Sequence, residues 1–398
     1  VPTTIRELTA DDLPDAWELG RLAFGGPAEA PARALRADPG VHRLGAFDDA
    51  GRLLGKVTDH ALESWWGGRR VTTAAVSGVA VAPETRGGGH ARRLLTELLV
   101  RARDRGAAVS ALYPTVSAVY RSLGWEVAGT LTATELDTAA LPRTRAGDGL
   151  VVRPGGADDL AAVTGLYEEV ARDRQGLLTR RGGFFDAPTD TPLPEGVDGL
   201  SLVHEGDRLV GALVFGRGKG YGTDARLTVH DLLATTPAAA RALVGVLAGW
   251  TTVTRSVRVP LLAGDVFSTV LPLERSSWPG GEGSAVPWMH RPVDVVRAVA
   301  DRGWPTHVTG RVAFRLRDDV APWNAGDWQL EVEGGSATLR RTGTEPERWL
   351  DVRGFAVLYC SATSGRALAQ TGLTGGAGDP AALDLLASGP RAELRDYF

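Results

Sequence analysis

Val79-Ala80-Val81-Ala82-Pro83-Glu84-Thr85-Arg86-Gly87-Gly88-Gly89-His90-Ala91-Arg92-Arg93-Leu94-Leu95 is the stretch on which the fold turns. Its valines end a Val- and Thr-rich run, Arg70–Val81, which predicts a strand. A leucine-rich helix is expected from Ala91 to Arg105, and a glycine-rich turn joins the two. Glycines let a backbone approach an anion closely. The free N–H groups and positive dipole at a helix start then stabilise its oxygens. The segment therefore suits a pyrophosphate, and Arg86, Arg92 and Arg93 add cationic charge. The competing reading is a plain strand-to-helix connection with surface arginines. The complete strand–turn–helix run argues against it, as does a second short apolar strand, Ala107–Leu112.

Toward the N-terminus, Thr4–Leu8 reads as a strand and Asp11-Asp12-Leu13-Pro14 as a helix start running to Phe24. A loop and a second helix lead into a hairpin, Arg43–Phe47 with Leu53–Ala61, around the turn Asp48-Asp49-Ala50-Gly51. On the other side, Pro114–Leu123 reads as a loop and helix closed by Gly124. Alternation of this kind predicts mixed α/β architecture.

Leu141–Gly149 has no apolar periodicity, so the first domain is expected to span residues 1–147. In the second, residues 148–287, Asp158-Asp159-Leu160 repeats the acidic helix start, and Leu200–Glu205 with Leu209–Phe215 repeats the hairpin. The order of elements suggests an internal duplication. The chemistry differs where Arg86–Ala91 is matched by Ala234-Thr235-Thr236-Pro237-Ala238-Ala239, which has no glycine and a proline that removes a donor. No cofactor is expected there. The third domain, residues 288–398, reads as a helix at Pro292–Arg302, short antiparallel strands and further helical segments, an α+β unit.

At 398 residues the chain exceeds a single comfortable core. Its 44 basic and 48 acidic residues leave a net charge of −4, so no bulk field draws nucleic acid or an anionic membrane. With a lone cysteine, Cys360, and no long apolar span, a cytoplasmic protein without membrane partners is expected. The seven histidines lie singly, which speaks against a metal site, and no Gly-x-Ser-x-Gly elbow is present.

The Arg-x-x-Gly-x-Ala pattern after a strand resembles the acetyl-CoA signature of the GNAT superfamily. Val109–Thr115 leading to Val119-Tyr120-Arg121-Ser122-Leu123-Gly124-Trp125 resembles the Eis (enhanced intracellular survival) acetyltransferases, and the chain ends, as they do, in phenylalanine. The resemblance implies tandem GNAT-like domains followed by a domain like sterol carrier proteins, assembled as a homo-hexamer. It implies acetyl-CoA bound by Val79, Ala80, Val81, Arg86, Gly87, Gly88, Gly89, His90, Ala91 and Thr115. Trp17 and Phe24 would meet a small-molecule amine. Tyr120 falls on the family's general acid, and the Phe398 carboxylate on its proposed base. A phenol of pKa about 10 suits the acid role, since it stays protonated at neutral pH and can protonate a departing thiolate. The plainer alternatives are a core aromatic at position 120 and a frayed terminus at 398.

Two departures stand out. Where antibiotic-acetylating Eis enzymes carry acidic and aromatic residues near the first helices, the loop after Phe24 has no carboxylate before Glu29, which weakens the case for a polycationic acceptor. Gly87 and Gly88 stand where relatives often carry arginines. A non-catalytic CoA- or lipid-binding carrier is the alternative from another functional class.

Overall fold

The valine-rich strand and the leucine-rich helix around the glycine turn pack together through Ala74 and Val76 on the one and Leu94, Leu95, Leu98 and Leu99 on the other. The computed structural model describes residues 3–185, 192–221, 225–271 and 285–398. The chain begins β1 (Thr4–Glu7), α1 (Leu13–Phe24), β2 (Val41–Phe47), β3 (Leu53–Trp66) and β4 (Arg69–Val81). It continues α2 (His90–Asp104), β5 (Val109–Leu112), α3 (Ser117–Arg121), β6 (Glu126–Leu131), β7 (Thr134–Asp137) and β8 (Leu150–Gly155). Then come α4 (Leu160–Arg172), β9 (Gln175–Leu178), β10 (Gly199–Glu205), β11 (Arg208–Arg217), β12 (Arg226–Ala234), α5 (Pro237–Ala248) and β13 (Ser256–Val259). The last part holds β14 (Val286–Pro292), α6 (Val295–Asp301), β15 (Gly310–Arg317), β16 (Gly326–Glu333), β17 (Ser336–Arg341), β18 (Arg348–Asp351), α7 (Val352–Tyr359), α8 (Gly365–Gln370) and β19 (Thr374–Gly376).

One compact unit comprises Val1–Gly129, Arg174–Ala187 and Pro287–Phe398. Its larger sheet has the order β1-β2-β3-β4-β5-β14-β6, with β9 also pairing β3. Alternation along the strands separates two cores. Val57, Ala74 and Val76 face α2 through Leu94, Leu95, Leu98 and Leu99. Leu62, Val71, Ala75 and Ala111 face Trp288 and the carboxy-terminal sheet, β17-β16-β15-β18-β19. That period-2 division is the expected signature of a sheet covered on both sides.

The other unit comprises Thr130–Asp173 and Pro188–Val286. Its sheet has the order β7-β13-β12-β11-β10-β8, packed by α5 through Leu243, Val244 and Leu247. The suggested duplication has a structural counterpart. Arg6 makes a two-pronged pair with Asp12 at 2.6 and 2.8 Å, and Arg153 does the same with Asp159 at 3.1 and 2.6 Å.

The units are not contiguous in sequence, and the structure changes three expectations about boundaries and strand direction. The 147/148 division falls inside the second unit, because β7 completes that sheet by pairing β13. The 287/288 division cuts β14, which belongs to the first sheet, where Met289↔Leu112 through Pro292↔Val109 pair antiparallel. Its Trp288-Met289-His290-Arg291 run shows no alternation because all four side chains are buried. The charge of Arg291 is met by both carboxylate oxygens of Asp318, at 2.9 and 2.8 Å. Third, β18 runs parallel to β15, not antiparallel, because after the β16–β17 hairpin the chain returns to the other side of β15. The second helix expected before β2 is a single 3₁₀ turn, Ala32–Leu35.

Candidate active site

β4 and β5 pair in parallel only from Thr73↔Val109 to Val76↔Leu112. β5 ends there, whereas β4 runs on to Val81, so one edge of Ser77–Val81 is open. A bulge marks the divergence: β3 and β4 shift register between Lys56↔Ala80 and Thr58↔Ser77, and Gly78 takes φ +60°. A cavity of about 630 Å³ opens at this split, within the range of small-molecule sites. Val79, Ala80 and Val81 form one wall.

The glycine turn forms the floor. Thr85, Arg86 and Gly88 spend their amides inside the turn, on the carbonyls of Ala82, Pro83 and Thr85. Gly89, the residue before α2, has φ +75°, and no side chain caps the helix. His90, Ala91 and Arg92 line the cavity, and their first-turn amides have no backbone acceptor, the arrangement that binds a phosphate. A Cβ at Gly87 or Gly89 would stand in open space, while one at Gly88 would lie 2.9 Å from His90 Nε2. Gly87 and Gly89 thus keep the cradle clear, and Gly88 makes room for the imidazole. Arg86, Gly87, Gly89, His90 and Ala91 line the cavity; Gly88 does not. Arg93 is a clamp within the loop, its guanidinium 2.8 Å from the Gly88 carbonyl and 3.2 Å from His90 Nδ1. His90 is buried, and burial together with Arg93 lowers its pKa. The residues present fit a nucleotide diphosphate.

The opposite wall is Thr115, Val116, Val119, Tyr120 and Ser122, with Ala23 and Phe24 from α1. Tyr120 is 7 % exposed, and burial raises its phenol to about 12, so it stays protonated at any physiological pH. Gly124 sets its position. At φ +93° it closes α3, with the amides of Leu123 and Trp125 bonding the Tyr120 carbonyl at 3.0 and 3.1 Å. A Cβ at Gly124 would sit 1.5 Å from the Arg291 guanidinium, so no larger residue fits.

The chain end returns to the tip of β5. Tyr113 donates to the Asp396 carbonyl at 3.1 Å, and Arg180 Nε donates to the Asp396 carboxylate at 2.9 Å. The Phe398 ring packs edge-on against Tyr113, 5.6 Å between centroids. Phe398 is thus tied down beside the split, although it is not among the residues that line the large cavity.

Trp17 also lies outside that cavity. It walls a second one, of about 200 Å³, together with Arg43, Lys56, Thr58, His60 and Ser77. Sequence reasoning missed this group, although Lys56, Thr58 and His60 alternate along β3 with Val57 and Asp59, a polar stripe on one face. It also missed Tyr113 and Arg180, whose roles rest on contacts more than 200 residues apart. Among the described residues no His, Cys, Asp or Glu cluster could hold a metal, and no helix is long and apolar enough to cross a membrane.

The model of the "Acetyltransferase (GNAT) domain" matches residues 4–128, and that of the "Sterol carrier protein domain" matches residues 295–393. Residues 4–128 are thus a GNAT acetyltransferase domain, and the chain is an acetyltransferase enzyme. An uncharacterized N-acetyltransferase of Streptomyces griseus is 27% identical to this acetyltransferase over 378 residues, covering 90% of this chain and 89% of that one. A GCN5-related N-acetyltransferase from Kribbella flavida is 27% identical, with a TM-score of 0.83 over 100% of this chain and 98% of its own. Eis1 from Mycobacterium abscessus, at 23% identity, shares the fold, with a TM-score of 0.76 over 99% and 100% of the two chains.

Proposed function

We propose that this acetyltransferase passes an acetyl group directly from acetyl-CoA to the amine of a small molecule. The observation that carries the reading is the shared cavity: the uncapped start of α2, the open edge of β4 and the buried phenol of Tyr120 all line it. In this reading the amides of His90–Arg92 and the side chain of Arg86 hold the diphosphate. The open edge of Val79–Val81 aligns the pantetheine arm, and the exposed apolar faces of Val116 and Val119 cover it. The acceptor nitrogen bonds to the thioester carbon as the C–S bond breaks. Tyr120 gives its proton to the departing thiolate, and the Phe398 carboxylate takes the proton lost by the amine. Proton exchange with solvent resets both groups. Docking of the tail at Tyr113 supports the second role, because it holds the carboxylate-bearing residue beside the β4–β5 split.

Release of CoA thiol tests the reading. Tyr120→Phe keeps the ring and removes the proton, so turnover is expected to fall about 100-fold with CoA affinity intact, the scale of general-acid catalysis. Wild-type turnover in that variant removes Tyr120 from the chemistry. Deletion of Phe398 is expected to lower kcat at least tenfold in a protein of unchanged circular dichroism.

A further inference from the structure

The second cavity lies on the opposite face of β3 and β4 from α2. Val57 and Val76 point into the α2 core, so their neighbours Lys56, Thr58 and Ser77 point to the other side, under α1. Ser77 is also the first β4 residue beyond the last β4–β5 pair, and Val79 two positions on walls the large cavity. The two cavities therefore approach the same bulge from two sides.

The lining of the smaller cavity is cationic. Arg43 and Lys56 contribute two positive charges, and no carboxylate is among the lining residues. Asp38, the acid near Arg43, is already held by Arg36 at 2.6 Å. Asp59 points away, to Arg105. The Lys56 ammonium lies against α1 at Gly20, where a Cβ would come within 2.8 Å of Nζ. Among the described residues no carboxylate or hydrogen-bond acceptor pairs with it. Two further polar groups of the wall are buried and unpartnered, the Trp17 indole N–H and His60 Nδ1; His60 Nε2 meets Ser77 Oγ at 2.9 Å. A pocket rich in donors and free of carboxylates complements an anion. At about 200 Å³ it has the volume of roughly seven waters, enough for an amino-acid-sized molecule.

Resting on the acetyl-transfer reading above, we propose that this cavity is the acceptor pocket, and that Lys56 and Arg43 select small primary amines carrying a carboxylate or phosphate. The same two charges disfavour the ammonium form of the bound amine, which leaves its nitrogen ready to attack.

The test uses amine pairs that differ only in the anionic group: phenylalanine against phenylethylamine, and phosphoethanolamine against ethanolamine. Each is assayed for CoA thiol release with the wild type, Lys56→Met and Lys56→Arg. The anionic member of at least one pair is expected to show a kcat/KM at least tenfold higher, the scale of one charge-assisted contact. Lys56→Met is expected to erase that advantage mainly through KM, and Lys56→Arg to keep most of it; the carboxylate and phosphate arms separate the two anion types. If amines are acetylated without preference for the anion, or if Lys56→Met leaves the preference unchanged, the pocket assignment is overturned while acetyl transfer stands. If no amine is acetylated, the transfer reading fails for these acceptors. Calorimetric titration with phosphoethanolamine then decides the pocket: binding that Lys56→Met abolishes upholds it, and no binding to the wild type overturns it.

Discussion

The helix starts of α2 and α5 are the same position in two copies of one fold, and they differ in how their amides are satisfied. In the first copy, β4 runs five residues past its last pair with β5; in the second, β12 runs six residues past Thr228↔Arg258, its last pair with β13. Both sheets therefore split. Yet α2 begins after Gly89 with no side-chain cap, whereas the Thr236 hydroxyl accepts the Ala239 amide at 3.2 Å and Pro237 has no amide to offer. Both copies keep the split strand-to-helix scaffold, but only the first leaves its helix start without a side-chain cap. A capped helix start is more stable by itself, and an uncapped one is useful to an anion.

The largest effect is expected from closing the first copy. Gly89→Asp places a carboxylate where the phosphates would sit, on a residue type that tolerates positive φ. CoA affinity is expected to fall about 100-fold, or about 2.7 kcal/mol, by calorimetric titration; an unchanged Kd would break the comparison. Opening the second copy tests the reverse. Thr236→Ala is expected to cost about 1 kcal/mol of stability in thermal unfolding and to leave binding at one CoA per chain. A second CoA site in that variant would show that the cap alone had silenced it.

A smaller effect concerns Lys56 on the polar stripe of β3, whereas the corresponding strand β11 is apolar and buried through Val210–Val214. Burial and the nearby Arg43 lower its ammonium to about 8. His60, lowered to about 4 by burial and by Arg43, is already neutral at physiological pH, so Lys56 is the wall residue that titrates near there. Any preference for anionic amines should weaken several-fold as pH rises through about 8, because the charge is then lost; Lys56→Arg should flatten that profile. The smallest effect is expected at the duplicated Arg–Asp pairs. Both carboxyls lie below their ordinary pKa, Asp159 at about 2, held down first by the partner arginine. A lowered carboxyl stabilises above its unfolded pKa and stops doing so as pH falls through its folded one. Asp12→Asn and Asp159→Asn should therefore each lower Tm by about a degree or two at pH 7, as surface pairs do, and by progressively less as pH falls through the folded values.

Much of the site was legible in residue order. Arg86–Ala91 reads as an anion cradle because glycine spacing and a helix start are local properties, and Tyr120 follows from its place before Leu123-Gly124-Trp125. The inward use of Arg93 was not legible, since its partner is a carbonyl made available by the turn itself. Nor was the strand β14, because a segment buried on all sides carries no alternation and its arginine imitates a loop.

By itself the sequence determined which helix start is left without a cap, because capping, glycine and proline act over a few neighbouring residues. Only the tertiary structure decided where the chain's end lies, which strands complete each sheet and which side chains meet under α1. Those outcomes depend on pairings between distant segments, whose register no local pattern records.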